Sequence, residues 1–293
     1  MAKFGIYFAY WADQYNVDYG VFINRAARLG FDSLGVRASG IVEMSREQLS
    51  ELKKRADDAK IELTYCIGFP AKYDLTSDDA AVRRETVAYA TRILEAIHHM
   101  KGTILNGVYY SYWLGTLPEG VKDKRPYIDR SLDGMKAISA VAGDCGITCC
   151  LEVVNRYETF LLNTAAEAVD YIERLGSPNV KILLDTFHMS IEEESLGGAI
   201  AKAGDKLGHF HVAECNRDLP GRGHLAWDEI SSALRKINYQ GIIELEPFVK
   251  MGNQIGRNIR LWRDLSQGAD DAQLDRNLAQ ALDFLRRKLA ADG

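Results

Sequence analysis

The amino-acid sequence predicts an α/β protein folded as a single-domain (β/α)8 TIM barrel. Short apolar runs typical of buried strands alternate with helical patterns eight times along the 293 residues, and such alternation produces one parallel sheet. A doubly wound open sheet is the alternative, but no G-x-G-x-x-G motif follows the first predicted strand. No linker rich in Pro, Gly or Ser divides residues 1–293, so we expect one domain.

The first half of the chain contains four strand–helix pairs, identified by hydrophobic periodicity and by residues that end helices. Strands are predicted at residues 3–9, 33–36, 62–68 and 103–110. Helices are predicted at residues 21–29, 46–59, 78–100 and 125–145, and Gly30 ends the first of them. The fourth strand leads into an aromatic segment that contains glycine, YYSYWLGTLPEG.

The second half continues the same alternation. Apolar runs that read as strands lie at residues 147–154, 181–188, 208–217 and 241–248. Helices are predicted at residues 164–175, 193–203, 227–237 and 272–289, with Asn163 or Thr164 as the N-cap of the first. Two connections are long, at about residues 110–124 and 248–268. Both follow strands, so they belong to the C-terminal face, where barrel enzymes form pockets and subunit contacts.

Composition and charge exclude several classes of protein. The net charge is −5 and no cluster of Lys and Arg is present, which argues against nucleic acid as a partner. The N-terminal sequence does not have the pattern of a signal peptide, and no apolar run is long enough for a membrane span. The five cysteines form no C-x-x-C pair, which is typical of reduced thiols. We therefore expect a cytoplasmic protein without a membrane partner.

Four successive predicted strands, the fifth to the eighth, each carry a possible metal ligand near the C-terminal end. These residues are Glu152, Asp185, His211 and Glu246, separated by 33, 26 and 35 residues. A carboxylate in an apolar strand is costly to bury unless a metal, a partner or a proton compensates its charge. Three carboxylates and an imidazole suit Mn²⁺, Co²⁺ or Mg²⁺ better than a structural Zn²⁺. The sequence therefore predicts a divalent-metal site at the mouth of the barrel.

A second group of polar residues follows the possible ligands. Glu158, His188 and Arg217 come three to six residues after a ligand, where loops would hold a polar substrate by hydrogen bonds. The alternative interpretation of Arg217 is a solvated charge on a loop. The alternative for His188 is a residue that orients Asp185. His209 shares the face of His211 by strand alternation, so it lies deeper in the barrel unless the register is wrong.

Aromatic residues gather at the ends of the first and fourth strands. Most of them are predicted to pack in the core, and one or two to form an apolar wall for a sugar. We assign Tyr7, Cys66 and Trp113 to the substrate pocket. His98, His99 and His224 are predicted to lie on the surface.

Seven stretches of the chain resemble the ketose 3-epimerases, the group of D-tagatose 3-epimerase and D-psicose (D-allulose) 3-epimerase within the xylose isomerase-like barrels. They are GIYFAYW, LEVVNRYE, LLDTFHMSIEE, GHFHVAECNR, GRGHLAWDEI, ELEPF and LWRDLS. The resemblance covers nearly the whole chain and is densest between Leu151 and Ser266.

This resemblance implies a function and a set of site residues. It implies a metal ion, usually Mn²⁺ or Co²⁺, bound by the four residues named above, and substrate contacts at Glu158, His188 and Arg217. It also implies a homodimer or a homotetramer. One position departs from the family pattern: Gly35 stands in SLGVRAS where the second strand would carry a glutamate, which leaves the pocket wall near that strand undetermined.

The chemistry implied is inversion at C3 of a free ketose, such as D-fructose/D-psicose, D-tagatose/D-sorbose or a ketopentose. Inversion needs proton carriers on opposite faces of the substrate, and Glu152 and Glu246 are the candidates. The alternatives on the same scaffold are an aldose–ketose isomerase, a hydroxypyruvate-type isomerase or a dehydratase of cyclic polyols. An endonuclease-IV-like enzyme would need a basic face and more histidines, and a sugar-binding protein gives no reason for two carboxylates on one metal.

Overall fold

The structure, a computed structural model, describes residues 2–289 and contains a closed barrel of eight parallel strands in sequential order. The predicted (β/α)8 architecture is therefore confirmed. The strands are β1 Lys3–Tyr7, β2 Ser33–Arg37, β3 Glu62–Gly68, β4 Ile104–Val108, β5 Thr148–Val153, β6 Val180–Asp185, β7 Leu207–Val212 and β8 Ile242–Leu245.

Eleven helices accompany these strands in the described part of the chain. They are α1 Tyr19–Leu29, α2 Ala38–Ile41, α3 Arg46–Asp58, α4 Ala80–His99, α5 Arg125–Asp144, α6 Ala165–Leu175, α7 Thr186–Glu192, α8 Leu196–Ala203, α9 Trp227–Lys236, α10 Gln254–Asn258 and α11 Asp271–Leu289. The short helices α2, α7 and α10 were not predicted. None of the eleven has the length and apolar character needed to span a bilayer.

Local sequence signals account for the helix ends. Asp18 caps α1 by accepting from Gly20 N, and Gly30 ends it in the left-handed conformation at φ +83°. Ser45 and Gln48 form a capping box on α3. Of the two N-caps considered for α6, the structure has Thr164, whose side chain accepts from Glu167 N.

Several predicted strands end earlier than expected, and the ends of β6 and β7 change the location of predicted site residues. β6 ends at Asp185, so residues 186–188 belong to α7, and β7 ends at Val212, so residues 213–217 form a loop. The apolar character of both segments reflects burial rather than strand structure. Strand and buried non-strand segments cannot be told apart by hydrophobicity alone.

The interior of the barrel is filled by side chains from alternate strand positions, as the period of two requires. Asp185 pairs in register with His211, and His211 with Glu244. His209 and His211 are both fully buried inside, so the prediction that His209 lies deeper in the barrel is confirmed. The C-terminal ends of β5 to β8 thus meet on one side of the mouth.

Candidate metal and substrate site

The four predicted metal ligands come together at the mouth of the barrel. Glu152 lies near the end of β5, Asp185 ends β6, His211 lies near the end of β7 and Glu246 directly follows β8. One ligand atom from each lies within 4.8 Å of those of the others. Asp185 and His211 are 0% exposed, whereas Glu152 and Glu246 retain 7% and 6%. Only the two glutamates therefore reach the cavity above the cluster.

The charges within this cluster perturb one another strongly. Burial raises the pKa of Glu152 to about 7. Burial would also raise the pKa of Glu246, but His211 and Arg217 oppose it and hold that pKa below its ordinary value. Burial disfavours protonated His211, yet the adjacent carboxylates of Glu246 and Glu152 raise its pKa well above the usual range. The two glutamates of one cluster thus have different proton affinities.

The donor set fits a divalent cation. Nδ1 of His211 lies 3.6 Å from Oε1 of Glu152 and 3.6 Å from Oε2 of Glu246. Neither ring nitrogen of His211 has a hydrogen-bond partner among the described residues, although both are buried. Carboxylate oxygens with one imidazole and no thiolate match ions of intermediate hardness such as Mn²⁺, Co²⁺ and Mg²⁺.

Arg217 is a buried component of this site rather than a solvated loop charge. Its Nη1 donates to Asp185 Oδ2 at 2.6 Å and to Glu246 Oε2 at 3.0 Å. The guanidinium lies 4.0 Å above the ring of Phe187 and 5.3 Å from that of Phe248. Its backbone is in the left-handed region at φ +68°, which turns the side chain back over the barrel mouth. Asp185 and Glu246 are thereby fixed in orientation.

His188 projects from α7 and not from a loop, which corrects its predicted location. Its Nδ1 accepts from the backbone N–H of Asn155 at 3.2 Å, and its Nε2 lies 3.1 Å from Nη2 of Arg217. Nε2 is 3.8 Å from Glu152 and 3.9 Å from Asp185. Burial, assisted by the charge of Arg217, lowers the pKa of His188 to about 3. His188 is therefore neutral at pH 7.

Glu158 and Trp113 form a polar pair on the wall of the cavity. Nε1 of Trp113 donates to Oε2 of Glu158 at 2.6 Å. Burial raises the pKa of Glu158 above its ordinary value, although Arg217 and Trp113 oppose that shift. Trp113 itself packs on Gly68, where a Cβ atom would lie 3.0 Å from the Trp113 Cβ.

These side chains surround a cavity that opens to solvent at the mouth of the barrel, as small-molecule sites of barrel enzymes do. Eight of the predicted site residues line it: Tyr7, Cys66, Trp113, Glu152, Glu158, His188, Arg217 and Glu246. Burial raises the pKa of the Cys66 thiol well above its ordinary value, so it is a neutral wall residue. Of the other aromatics, Phe8, Tyr10, Trp11, Tyr109 and Tyr110 are packed in the core, and His98, His99 and His224 are exposed, as predicted.

Several residues around the cavity were missed by the sequence analysis. Tyr15, Arg37, Phe248 and Ile259 also line it. The available signal for Arg37 and Phe248 was their position at, or shortly after, the end of a barrel strand, whereas Tyr15 and Ile259 lie in connections without a distinctive motif. Gly35 has a defined role in the floor, since a Cβ there would lie 2.1 Å from Oε1 of Glu244. The glycine leaves the space that this buried carboxylate occupies.

Comparison with known proteins supports the resemblance found in the sequence. The family model for xylose isomerase-like TIM barrels matches residues 23–288. The chain is 44% identical to D-psicose 3-epimerase of Ruminiclostridium cellulolyticum over 284 residues, covering 97% of each protein. It is 45% identical to D-psicose 3-epimerase of Agrobacterium fabrum, covering 97% of this chain and 98% of the other.

A solved structure gives the same result. The crystal structure of D-psicose 3-epimerase with D-tagatose from Clostridium cellulolyticum H10 superposes with a TM-score of 0.95 at 44% identity. The superposition covers 98% of this chain and 99% of that one. The resemblance therefore extends over the whole barrel.

Proposed function

This chain belongs to the ketose 3-epimerases of the xylose isomerase-like TIM barrel family, and from that membership we propose that it inverts C3 of free ketoses with a bound divalent ion. The observation that carries the proposal is the difference in exposure among the four clustered residues. Glu152 and Glu246 reach the cavity, while Asp185 and His211 are sealed below it. Two carboxylates that contact both the ion and the substrate suit a reaction with two proton transfers.

The residues of the cluster would have two roles, metal binding and proton transfer. Glu152, Asp185, His211 and Glu246 would hold Mn²⁺ or Co²⁺, with Mg²⁺ as a further possibility. When bound, such an ion acts as a Lewis acid that increases the acidity of the proton next to the ketose carbonyl. One glutamate would remove the C3 proton to give an enediolate, and the other would return a proton to the opposite face.

The surrounding polar residues would orient the ketose. Neutral His188 and the fixed guanidinium of Arg217 lie beside both glutamates and would bind the substrate oxygens near C2. Glu158, held by Trp113, would bind a hydroxyl nearer C1. Tyr7, Cys66 and Trp113 would form the less polar wall.

The decisive experiment is a product analysis. The protein with Mn²⁺ is incubated with D-fructose, D-tagatose or L-ribulose, and products are identified by NMR. We expect the C3 epimer of at least one ketose. An aldose as the main product would instead support the aldose–ketose or hydroxypyruvate-type isomerase, which the named relatives do not favour.

Metal affinity should depend on pH. A carboxyl with a pKa of about 7 still holds a proton at neutral pH, and a metal ligand must lose it. Affinity is therefore lower below the pKa of Glu152 and increases as pH rises through it, by up to about tenfold per pH unit below the pKa. Calorimetric titration with Mn²⁺ at pH 6, 7 and 8 measures both the affinity and the proton release. His211, whose pKa is also raised, must release a proton as well, so an affinity independent of pH, with no proton released, would contradict the assignment of Glu152 and His211 as ligands.

We propose that the protein assembles as a homodimer or homotetramer. The two long connections were predicted on the face where barrel enzymes form subunit contacts, but the aromatic and aliphatic residues after β4 are at least partly buried. Of the large apolar residues that are exposed in the described chain, Val21 at 58% lies in α1 and the other four follow β8, β5 and β6: Trp262 at 70%, Tyr157 at 66%, Met251 at 48% and Ile191 at 38%. Apolar residues exposed on one end of a barrel are typical of an interface.

Sedimentation velocity at micromolar concentration tests this assembly. We expect a sedimentation coefficient for two or four chains, and Trp262→Asp should shift the population toward the monomer. A wild-type monomer at this concentration would remove the proposal.

The compartment is also a proposal. All five cysteines are free thiols in the structure, which supports a reducing environment such as the cytoplasm.

A further inference from the structure

The cavity is lined by one arginine whose charge is not paired within residues 2–289. Arg37 ends β2, and its guanidinium stacks at 4.0 Å on the ring of Tyr15. In the described chain it makes no side-chain hydrogen bond or ion pair. Arg217, by contrast, is bound by Asp185 and Glu246. Arg37 thus presents unused N–H donors to the cavity.

Arg37 lies on the side of the barrel mouth opposite Asp185. In a closed barrel of eight strands, β2 faces the β6 side, where Asp185 belongs to the ligand cluster. A ketose with its C2 and C3 oxygens at the cluster would extend its other end toward β2. A guanidinium presents a planar set of donors that matches a carboxylate or a phosphate. On the basis of the proposed function, we infer that Arg37 forms a subsite for an anionic group at the end of the ketose distal to C3.

A comparison of neutral and anionic substrates tests this subsite. The Mn²⁺-loaded protein is assayed with D-fructose, with a ketohexose carrying a C6 carboxylate, and with one carrying a C6 phosphate. Arg37→Gln removes the charge, and Arg260→Gln is the matched control, since Arg260 is exposed and lies outside the cavity lining. We expect Arg37→Gln to lower kcat/KM for the preferred anionic substrate by about 10- to 100-fold, the range of a charge-assisted hydrogen bond. D-fructose should change much less.

The outcomes separate the inference from the proposed function. Turnover of D-fructose without turnover of either anionic ketose overturns the subsite and leaves the epimerase function intact. Equal losses for neutral and anionic ketoses in Arg37→Gln, or equal effects of Arg260→Gln, also overturn it. Failure of the wild-type protein with every ketose contradicts the proposed function itself. Preference between the two anionic ketoses identifies carboxylate or phosphate as the group bound.

A second inference concerns a layer of polar side chains beneath the ligand cluster. Ser33, Thr64, Asn106, His209 and Glu244 are all 0% exposed. Thr64 Oγ1 donates to Glu244 Oε2 at 2.6 Å, and His209 Nε2 lies 3.5 Å from that oxygen. The other carboxylate oxygen, Oε1, has no hydrogen-bond partner in the described chain. A buried carboxylate oxygen without a partner destabilises the folded state, so its presence here indicates a function.

The unpaired oxygen of Glu244 faces the ring of His211. Nε2 of His211 lies 3.8 Å from Oε1 of Glu244, while Nδ1 faces Glu152 and Glu246 in the ligand cluster. Neutral imidazole has one protonated nitrogen and one lone pair for an ion. A carboxylate on the side away from the ion fixes which nitrogen carries the proton.

We propose that Glu244 is a positioning residue that keeps the proton of His211 on Nε2 and leaves Nδ1 for the ion. The glycines around it support a dedicated place for this carboxylate. A Cβ at Gly35 would lie 2.1 Å from Glu244 Oε1, and one at Gly5 would lie 3.3 Å from its Cγ. The Glu244 carboxylate of β8 therefore occupies the space beneath His211 that the missing side chain of Gly35 in β2 leaves open.

Nitrogen NMR reads the proton position directly. The protein has six histidines, so ¹⁵N-histidine labelling with Mg²⁺, a diamagnetic probe, gives few signals, and His211→Asn assigns the one needed. We expect His211 to be protonated at Nε2 in the wild-type protein. Glu244→Met should lose this preference and weaken Mn²⁺ binding by about 10- to 100-fold. Ser33→Ala, which removes another buried polar group from the same layer, should bind Mn²⁺ within about threefold of the wild type.

Two results would overturn this role for Glu244. One is protonation of His211 at Nδ1 in the Mg²⁺-loaded wild-type protein, which requires no variant to fold. The other is unchanged Mn²⁺ affinity in Glu244→Met. Both readouts are independent of turnover, so a protein that binds metal but epimerises no ketose contradicts the proposed function and not this inference.

Discussion

Removal of divalent ions is expected to abolish ketose epimerisation and to lower the melting temperature. The cluster places three carboxylates within 4.8 Å of one another, and Arg217 is the cation that contacts two of them. An ion bound only by the folded chain stabilises it by about 2.7 kcal/mol at a concentration one hundred times its Kd. Treatment with a chelator, dialysis and elemental analysis give the metal-free protein, in which activity and thermal unfolding are then measured.

A variant that cannot hold the ion is the control for this experiment. Asp185→Asn retains the shape of the side chain and an oxygen for the N–H of Phe187, but it lacks the ligand charge. Its melting temperature should respond little to the chelator, whereas the wild type should recover activity and stability when Mn²⁺ or Co²⁺ is restored. Full activity in protein shown to be free of metal would refute the metal-dependent mechanism.

The ligand cluster was predictable because its geometry follows from topology. The C-terminal ends of parallel barrel strands meet at one face, so polar residues at the ends of β5 to β8 converge whatever the details of packing. The interval between Glu152 and Asp185, or between His211 and Glu246, is one strand–helix unit and can be counted in the sequence. Prediction of the fold and of the ligand cluster therefore required only the hydrophobic periodicity and the position of each residue relative to its strand.

The rest of the site depends on contacts that no local pattern records. The location of His188 required the end of β6 at Asp185 and the turn into α7, because helix α7 carries it to Asn155. The burial of Arg217 depends on a left-handed backbone and on two aromatic rings, Phe187 of α7 and Phe248 of the loop after β8. These contacts join residues that are far apart in the sequence, and the hydrophobic pattern does not predict them.

The floor of the barrel shows the same limit. Gly35 was recognised only as a departure from a pattern, and its consequence lies on another strand. The space above it is filled by Glu244, 209 positions later in the chain. Only the register between β2, β1 and β8 relates the two residues. The contact between Gly35 and Glu244 therefore becomes apparent only in the closed barrel.

Replacement of either cavity glutamate by glutamine is expected to reduce turnover by at least about a hundredfold, in line with typical contributions of general acids and bases. Glutamine retains the shape of Glu152 or Glu246 but cannot carry the proton. Metal content is measured in each variant, because part of the loss could come from weaker binding of the ion. Glu158→Gln is the matched control, since Glu158 lines the same cavity and is not in the ligand cluster. Its effect should fall mainly on KM.

Isotope exchange distinguishes the two glutamates more sharply than the rate does. In deuterium oxide, a variant with one working carboxylate and retained metal should still exchange the C3 proton from the face of that carboxylate. Glu152→Gln should then incorporate deuterium into unchanged substrate from the epimer whose C3–H faces Glu246, and it should form little of the other epimer. Glu246→Gln should do so only from the opposite epimer. If both variants exchange from the same epimer, or if either epimerises at the wild-type rate, the two glutamates do not act from opposite faces, and a single base moving a proton from C1 becomes the better account.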